Sequence, residues 1–264
     1  MLPESGQPVA SSNGHKDFHR MRKLSPGDIL IPVAIIIAGG MISGSIVWTS
    51  RQAAMQTAAV APSDSAAPGQ QAAPPANIAD VKLDGVAYLG QEKAPVIMAY
   101  WFDYQCPYCK QEEETVFPQL MKDYVDSGKV KIVLKDFAFL GPDSETASLA
   151  ARAVWQIAPD KFSAWHKAMF DHQDQENAGW GNQDDILALT GSIGGIDVAK
   201  VKDLMTSKAS DYTSAMQADS NEGAAMGVGG TPSFLVGKQM MVGAQPYERL
   251  KAAIDAELAA ASSG

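Results

Sequence analysis

The chain has 264 residues, enough for one sizeable domain with additional segments, and its formal net charge is −9 at pH 7. Such an acidic chain lacks the basic surface that nucleic-acid binding requires, so we expect no nucleic-acid partner. It contains two cysteines, so all of its thiol chemistry depends on one pair.

The N-terminal part of the chain predicts a membrane anchor. Residues 1–28 are polar and are typical of a short disordered tail, whereas residues 29–48 form an uncharged apolar run long enough to cross a bilayer. Four basic residues precede this run, and Arg51 is the only one that follows it before Lys82. This asymmetry predicts a cytoplasmic N-terminus and a C-terminal part outside the cytoplasm.

A cleaved signal peptide is the alternative interpretation of residues 29–48. Its apolar core is typically about 7–15 residues and is followed closely by a small-residue cleavage site. Here the leader is long, and Trp48 stands where an aromatic residue of the membrane interface is expected. We therefore expect an uncleaved, single-pass signal anchor. Outside the cytoplasm disulfides form and persist, so the expected topology agrees with redox chemistry at the cysteine pair.

Residues 49–79 consist mainly of Ala, Pro, Gln and Ser, which is typical of a linker that cannot bury a core. The folded domain is expected over residues 80–264. It opens with the apolar strand 96–102, a helix from Cys106 to about Asp126 that is kinked at Pro118, and a strand over 130–137. One helix between two neighbouring strands predicts a right-handed parallel crossover.

A helical insertion is expected over about 140–226, with helices predicted at 144–157, 162–170, 184–189 and 197–216. Strands at 233–236 and 240–242 then form a hairpin, and Pro246 begins a final amphipathic helix. The order β-α-β, helical block, β-β-α predicts an α/β chain with a thioredoxin fold and a helical insertion.

Cys106 and Cys109 are the candidate catalytic residues. A disulfide between them closes a very small loop and contributes little as a structural cross-link, so reactivity explains the pair better. Pro107 suits the first helical position, which places Cys106 at the helix N-terminus, where a thiolate is stabilised. Thiol pKa values in such motifs fall to roughly 3.5–7.5. Cys106 is expected to be the attacking, partly exposed sulfur and Cys109 the resolving one.

A zinc site is the competing explanation for the cysteine pair. It needs a second pair of ligands at suitable spacing. The chain has no further cysteine, and His166 and His172 are too far apart for a two-histidine helix site, so both are expected at the surface. We expect no metal and no organic cofactor. Glu112, Glu113 and Glu114 are expected to weaken the stabilisation of a nearby thiolate.

Two motifs carry a resemblance to a known family: Phe-Asp-Tyr-Gln-Cys-Pro-Tyr-Cys at 102–109 and Gly-Thr-Pro-Ser-Phe at 230–234. Over roughly residues 83–258 the chain resembles the DsbA-like branch of the thioredoxin superfamily, and more narrowly its membrane-anchored or exported bacterial members. The resemblance implies a cis Thr231–Pro232 peptide beside the sulfurs. It also implies that Pro107, Tyr108, Thr231 and Pro232 shape a substrate-binding site.

One position departs from the family pattern. Many relatives carry a buried acid six residues before the first cysteine, where this chain has Tyr100. Asp103 is therefore a candidate proton relay for Cys109, with water or a Lys or Glu from elsewhere as alternatives. Tyr104 and Tyr108 are candidates for an apolar surface that faces the substrate.

The resemblance predicts a thiol–disulfide oxidoreductase that exchanges disulfides with secreted or periplasmic proteins, acting as a dithiol oxidase. Its partners are thiol- or disulfide-containing exported proteins and a membrane redox protein, either a quinone-linked re-oxidase or a thiol reductase. A disulfide reductase or isomerase of the same fold is the alternative. A Cu(I)-binding carrier that uses both thiolates is a further one.

Overall fold

The structure is a computed structural model that describes residues 76–263. The predicted tail, the predicted membrane span at 29–48 and most of the predicted linker lie outside the described residues. Within 76–263, no helix is both long enough and apolar enough to cross a membrane.

Five strands form one mixed sheet in the order β1-β3-β2-β4-β5. Their bounds are β1 Tyr88–Gly90, β2 Val96–Phe102, β3 Val130–Asp136, β4 Ser233–Val236 and β5 Gln239–Val242. β2 and β3 are parallel, and β4 pairs antiparallel with both β2 and β5. β1 runs antiparallel to β3 at the other edge. The predicted parallel crossover and hairpin are therefore confirmed, and the fold is thioredoxin-like.

Eight α-helices occur within residues 76–263. Their bounds are α1 Pro107–Thr115, α2 Phe117–Leu120, α3 Pro142–Ile157, α4 Pro159–His172, α5 Gln183–Ser192, α6 Val198–Ser207, α7 Ala209–Ala225 and α8 Tyr247–Ser262. Helices α3 to α7 come between β3 and β4 in the chain. Proline occupies the start of α1, α3 and α4, where its missing N–H leaves no hydrogen bond unmade. The Asn182 side chain caps α5 by accepting from two backbone N–H groups.

Two predicted helices are interrupted. The helix expected from Cys106 to Asp126 is divided into three segments. Helix α1 ends at Thr115, α2 follows it, and a π-helical turn, Met121–Val125, comes last. Pro118 lacks an N–H, and its ring clashes with the carbonyl four residues earlier, so the break lies upstream of the proline itself. The helix expected over 197–216 is two helices, α6 and α7, which separate at Lys208.

Strand β2 is covered on both faces, as its continuous apolar sequence predicts. Met98, Tyr100 and Phe102 pack into the larger core cluster, whereas Ala99 and Trp101 pack into a second cluster on the opposite face. Because both faces are anchored, the carboxyl end of β2 holds the following loop, residues 103–106, in a fixed position at the start of α1.

Candidate functional site

The two cysteines lie at the junction between β2 and α1. Cys106 is the N-cap residue of α1 and Pro107 is its first helical residue, as predicted. Both cysteines are free thiols. The expectation of a partly exposed Cys106 is wrong, because Cys106 is only 4% exposed and Cys109 is fully buried. The Thr231 carbonyl lies 3.5 Å from the Cys106 Sγ and contributes to this cover.

The Cys106 thiol is acidic, as expected. Its interaction with the Cys109 side chain is the largest influence, and the pKa of Cys106 is lowered to about 6 even though burial acts in the opposite direction. The Thr231 side chain and the backbone N–H groups of Tyr108 and Cys109 lower this pKa further. These two N–H groups belong to the first turn of α1, where backbone donors have no intrahelical partner and stabilise an anion.

Cys109 has the opposite tendency. Burial raises the pKa of its thiol well above the usual value, and the neighbouring Cys106 raises it further. The pair therefore consists of one sulfur that is a thiolate near neutral pH and one that stays protonated. This asymmetry fits an attacking and a resolving sulfur, which are the roles that the sequence predicts for them.

The loop before β4 faces the sulfurs. The Thr231–Pro232 peptide is cis, as the family resemblance implies. Ser233, the next residue, pairs with Trp101 near the carboxyl end of β2. This register brings Thr231 and Pro232 next to the loop that leads into Cys106, although the two segments are more than 120 residues apart in sequence.

Asp103, the candidate proton relay, is buried within the active-site loop. Its Oδ1 accepts the N–H of Gln105 at 2.8 Å. Its Oδ2 accepts the N–H groups of Phe139 and Leu140 at 2.9 and 3.2 Å. With both oxygens accepting from backbone N–H groups, this carboxylate holds the loop in place, and its role as a proton relay stays a prediction.

Two aromatic and two histidine positions were assigned to the surface, with mixed outcomes. Tyr108 is 60% exposed and His172 is also exposed, as predicted. Tyr104 and His166, each 1% exposed, are buried, so these two assignments are wrong. His166 Nδ1 lies 2.8 Å from the Tyr104 hydroxyl, and its Nε2 lies 3.1 Å from Glu113 Oε1. The histidine links α4 to the active-site loop and to α1.

Large hydrophobic side chains are exposed on segments next to the active site. Three are exposed within residues 76–263: Tyr108 between the cysteines, Phe139 in the loop bound by Asp103, and Val242 opposite Ser233. Each is attached to a segment that borders the active site, so the exposed apolar surface is concentrated where a second polypeptide would reach Cys106.

Glu112, which the sequence indicated only as one of three acids near the thiolate, is buried. It follows Cys109 by one helical turn and is 2% exposed. Burial raises its pKa to about 7, the N–H of Gln245 opposes this by donating to its carboxylate, and Glu113 raises it further. The spacing of Cys109, Glu112 and Val116 on one helical face was the available signal for its burial.

No group of three or more His, Cys, Asp or Glu side chains within residues 76–263 is arranged to hold a metal ion.

Comparison with known proteins places this geometry in a family. The family model described as Thioredoxin matches residues 82–256, more than half of the chain. The chain belongs to the thioredoxin family and is a DsbA-like thiol–disulfide oxidoreductase. Disulfide bond formation protein D of Bacillus subtilis is 29% identical over 176 residues, which cover 67% of this chain and 78% of that protein.

Further relatives and solved structures support the same family assignment. A putative protein-disulfide oxidoreductase of Rickettsia prowazekii is 31% identical over 157 residues, covering 58% of this chain and 54% of that protein. The crystal structure of oxidised BdbD from Bacillus subtilis matches with a TM-score of 0.62 and 29% identity, over 67% of this chain and 95% of that one. The thiol-disulfide exchange protein alpha-DsbA2 from Wolbachia pipientis matches with a TM-score of 0.57 and 27% identity, over 65% and 86% of the two chains.

Proposed function

We propose that the protein is a membrane-tethered dithiol oxidase that introduces disulfides into exported proteins through Cys106 and Cys109. The observation that carries the proposal is the opposite titration of the two sulfurs, with a pKa of about 6 for Cys106 and a raised pKa for Cys109. A stabilised Cys106 thiolate favours the reduced enzyme over the disulfide, which makes the enzyme disulfide an oxidant.

The reaction proceeds by two thiol–disulfide exchanges. A substrate thiolate attacks Cys106 Sγ of the Cys106–Cys109 disulfide, the S–S bond breaks, and Cys109 leaves as a thiolate that takes up a proton. A second substrate thiolate then attacks the substrate sulfur of the mixed disulfide, and Cys106 leaves as its stabilised thiolate. The substrate dithiol has become a disulfide, and the enzyme holds the two electrons as a dithiol. A quinone-linked membrane protein re-oxidises it.

The substrate is a polypeptide in an extended conformation. Thr231, beside the cis proline, presents its backbone next to Cys106, where a substrate strand can pair with it. Tyr108, Phe139 and Val242 supply exposed apolar contacts around that strand. These features support selection for apolar segments near a cysteine, which an unfolded exported protein displays before it buries its core.

The membrane tether rests on the sequence of residues 29–48 and on the basic residues before it. The linker of about 30 residues would span roughly 30 Å and allow the domain to reach different substrates. A C-terminal reporter that is active only in the periplasm tests this topology in the full-length chain. Activity together with retention of the protein in washed membranes is expected, and release of a shorter soluble form would show a cleaved signal peptide instead.

A reductase or isomerase is the second candidate, because the pKa of Cys106 is nearer to the value of about 7 in thioredoxin than to that of about 3.5 in DsbA. The equilibrium redox potential against glutathione separates the two directions. Thioredoxin lies at about −270 mV and DsbA at about −120 mV. We expect a value between them, and a potential at or below that of thioredoxin would overturn the assignment as an oxidase.

A further inference from the structure

Phe139 is the exposed aromatic residue of the loop between β3 and α3, residues 137–141, which we call the Phe139 loop. The residue is 55% exposed, and the aromatic ring that packs against it belongs to Phe137 of the same loop, with ring centroids 5.7 Å apart. A contact within one loop does not fix the ring relative to Cys106. Its position therefore depends on what holds the backbone of the loop.

Asp103 makes the first connection between the Phe139 loop and the active site. Its Oδ2 accepts the N–H groups of Phe139 and Leu140 at 2.9 and 3.2 Å. Its Oδ1 accepts the N–H of Gln105 at 2.8 Å, and its backbone carbonyl accepts the N–H of Cys106 at 3.1 Å. One residue thus joins the Phe139 loop to the segment that carries the attacking sulfur.

Asn177 makes the second connection. It lies in residues 173–182, between α4 and α5, which we call the Asn177 loop. Its side-chain Nδ2 donates to the Leu140 carbonyl at 2.9 Å, and its backbone N–H donates to Gln105 Oε1 at 3.3 Å. Together with the bonds of Asp103, these contacts close a ring of hydrogen bonds that joins the Phe139 loop, the Asn177 loop and the active-site loop.

The backbone of the Asn177 loop suits this contact. Among the described residues, Asn177 is the only one other than glycine with a positive φ, 53°, a conformation that asparagine tolerates better than most residues. At Gly181 a Cβ atom would lie only 2.7 Å from Gln105 Nε2, so glycine lets the loop lie directly against that buried side chain. Lys110 Nζ donates to the Gln173 carbonyl at 2.6 Å and holds the start of the loop against α1.

We infer that Asn177 is a positioning residue that holds Phe139 in place at the active-site loop and so favours substrates with an apolar segment beside the reacting cysteine, a role that rests on the function proposed above. Asn177 acts through the Phe139 loop and not on the sulfurs. With the ring of hydrogen bonds intact, Phe139 is ordered before a substrate binds. Without the contact to Leu140, Phe139 has to be ordered on binding, which weakens the binding of apolar segments by about 3- to 10-fold.

Single-turnover oxidation of peptide dithiols tests this role. The oxidised full-length protein is mixed with either of two peptides that share one cysteine spacing, one with apolar residues and one with Ser and Gly beside the cysteines. The half-saturating peptide concentration and the limiting rate are measured for each. Asn177→Gly permits the positive φ but lacks the Nδ2 donor. It should raise the half-saturating concentration of the apolar peptide about 3- to 10-fold and leave its limiting rate and both values of the hydrophilic peptide unchanged.

Further variants distinguish action through Phe139 from a general loosening of the site. Phe139→Ser removes the ring, so adding Asn177→Gly to it should cause no further rise in the half-saturating concentration. Glu176→Gln changes the charge of an exposed neighbour in the Asn177 loop, keeps the contact to Leu140 and should match the unmodified protein. The pH midpoint of Cys106 alkylation should be the same in Asn177→Gly, because the N–H groups of α1 that stabilise the thiolate are not part of the ring.

Asn177→Asp provides the same test if Asn177→Gly does not fold. Aspartate also tolerates the positive φ but replaces the Nδ2 donor with an oxygen, which cannot donate to the Leu140 carbonyl, so the apolar peptide should again be affected selectively. Unmodified kinetics with both peptides, an equal loss for the two peptides, or losses of Asn177→Gly and Phe139→Ser that multiply would overturn the positioning role. Failure of the unmodified protein to oxidise either peptide would instead refute the proposed exchange function.

Discussion

The acidity of Cys106 leads to a quantitative prediction about its reactivity. The Cys109 side chain is the largest influence that lowers the pKa of Cys106 to about 6. Replacing Cys109 with alanine removes that interaction and leaves the N–H groups of α1 in place. We therefore expect the pKa of Cys106 to rise substantially in Cys109→Ala, towards but not fully to that of an ordinary thiol, which is about 8.5.

The size of the effect follows from the thiolate fraction. At pH 6 about half of Cys106 is thiolate, whereas a thiol with a pKa of 8.5 is roughly 0.3% thiolate. The lower basicity reduces the reactivity of each thiolate by about tenfold, because the Brønsted coefficient is about 0.4–0.5. At pH 6 Cys106 is therefore expected to react about tenfold faster than a thiol with a pKa of 8.5, before the burial of Cys106 reduces the absolute rate.

The midpoint of the pH–rate profile is the robust quantity, because burial changes the absolute rate but not the titration. Alkylation by iodoacetamide, measured by mass spectrometry of the Cys106 peptide, should give a midpoint near pH 6 in the reduced protein. The midpoint should move upward in Cys109→Ala. A midpoint at pH 8 or above in the unmodified protein, or one that is the same in both proteins, would refute this account of the thiol.

Two further predictions concern a buried ion pair and the exposed rim. Lys135 is 1% exposed and pairs with Asp219 at 2.5 Å and with Glu222 at 2.9 Å. Asp219 keeps its pair with Arg152, whereas Lys135→Met leaves the Glu222 carboxylate without a cationic partner and should lower the free energy of unfolding by about 3–5 kcal/mol in urea denaturation. Lys238→Met, at an exposed position, is the matched control and should stay within about 0.5 kcal/mol. Tyr108→Ser should keep the stability within about 0.5 kcal/mol but slow the oxidation of apolar peptides, because it removes an exposed contact beside Cys106. Equal slowing of a small hydrophilic dithiol would contradict that role.

The central elements of the fold were predictable because their signals are local and strong. The seven apolar residues of β2 have to be covered on both faces, and the Cys-Pro junction fixes the start of α1. β1 was not predicted, since three residues are too few to show an alternating pattern. The separation of α6 and α7 at Lys208 has no glycine or proline to mark it, so tertiary packing decides it.

The buried polar groups of the site were harder to predict, although part of the signal was present. His166 follows Phe162 by four residues and precedes Phe170 by four, so helical periodicity places it on the apolar face of α4. His166 was nevertheless predicted at the surface, because histidine is usually found there and this preference was given more weight than the periodicity. The hydrogen-bond partners of His166 are the Tyr104 hydroxyl and Glu113. Both belong to other elements, so they become apparent only in the folded chain.

The central claim is that Cys106 is the sulfur that exchanges disulfides with other chains. The most direct measurement is to incubate reduced Cys109→Ala and Cys106→Ala variants with a peptide disulfide at pH 7 and to identify covalent adducts by mass spectrometry. A stable mixed disulfide is expected on Cys106 in the first variant and none on the deeply buried Cys109 in the second. Equal or faster adduct formation on Cys109 would contradict the account.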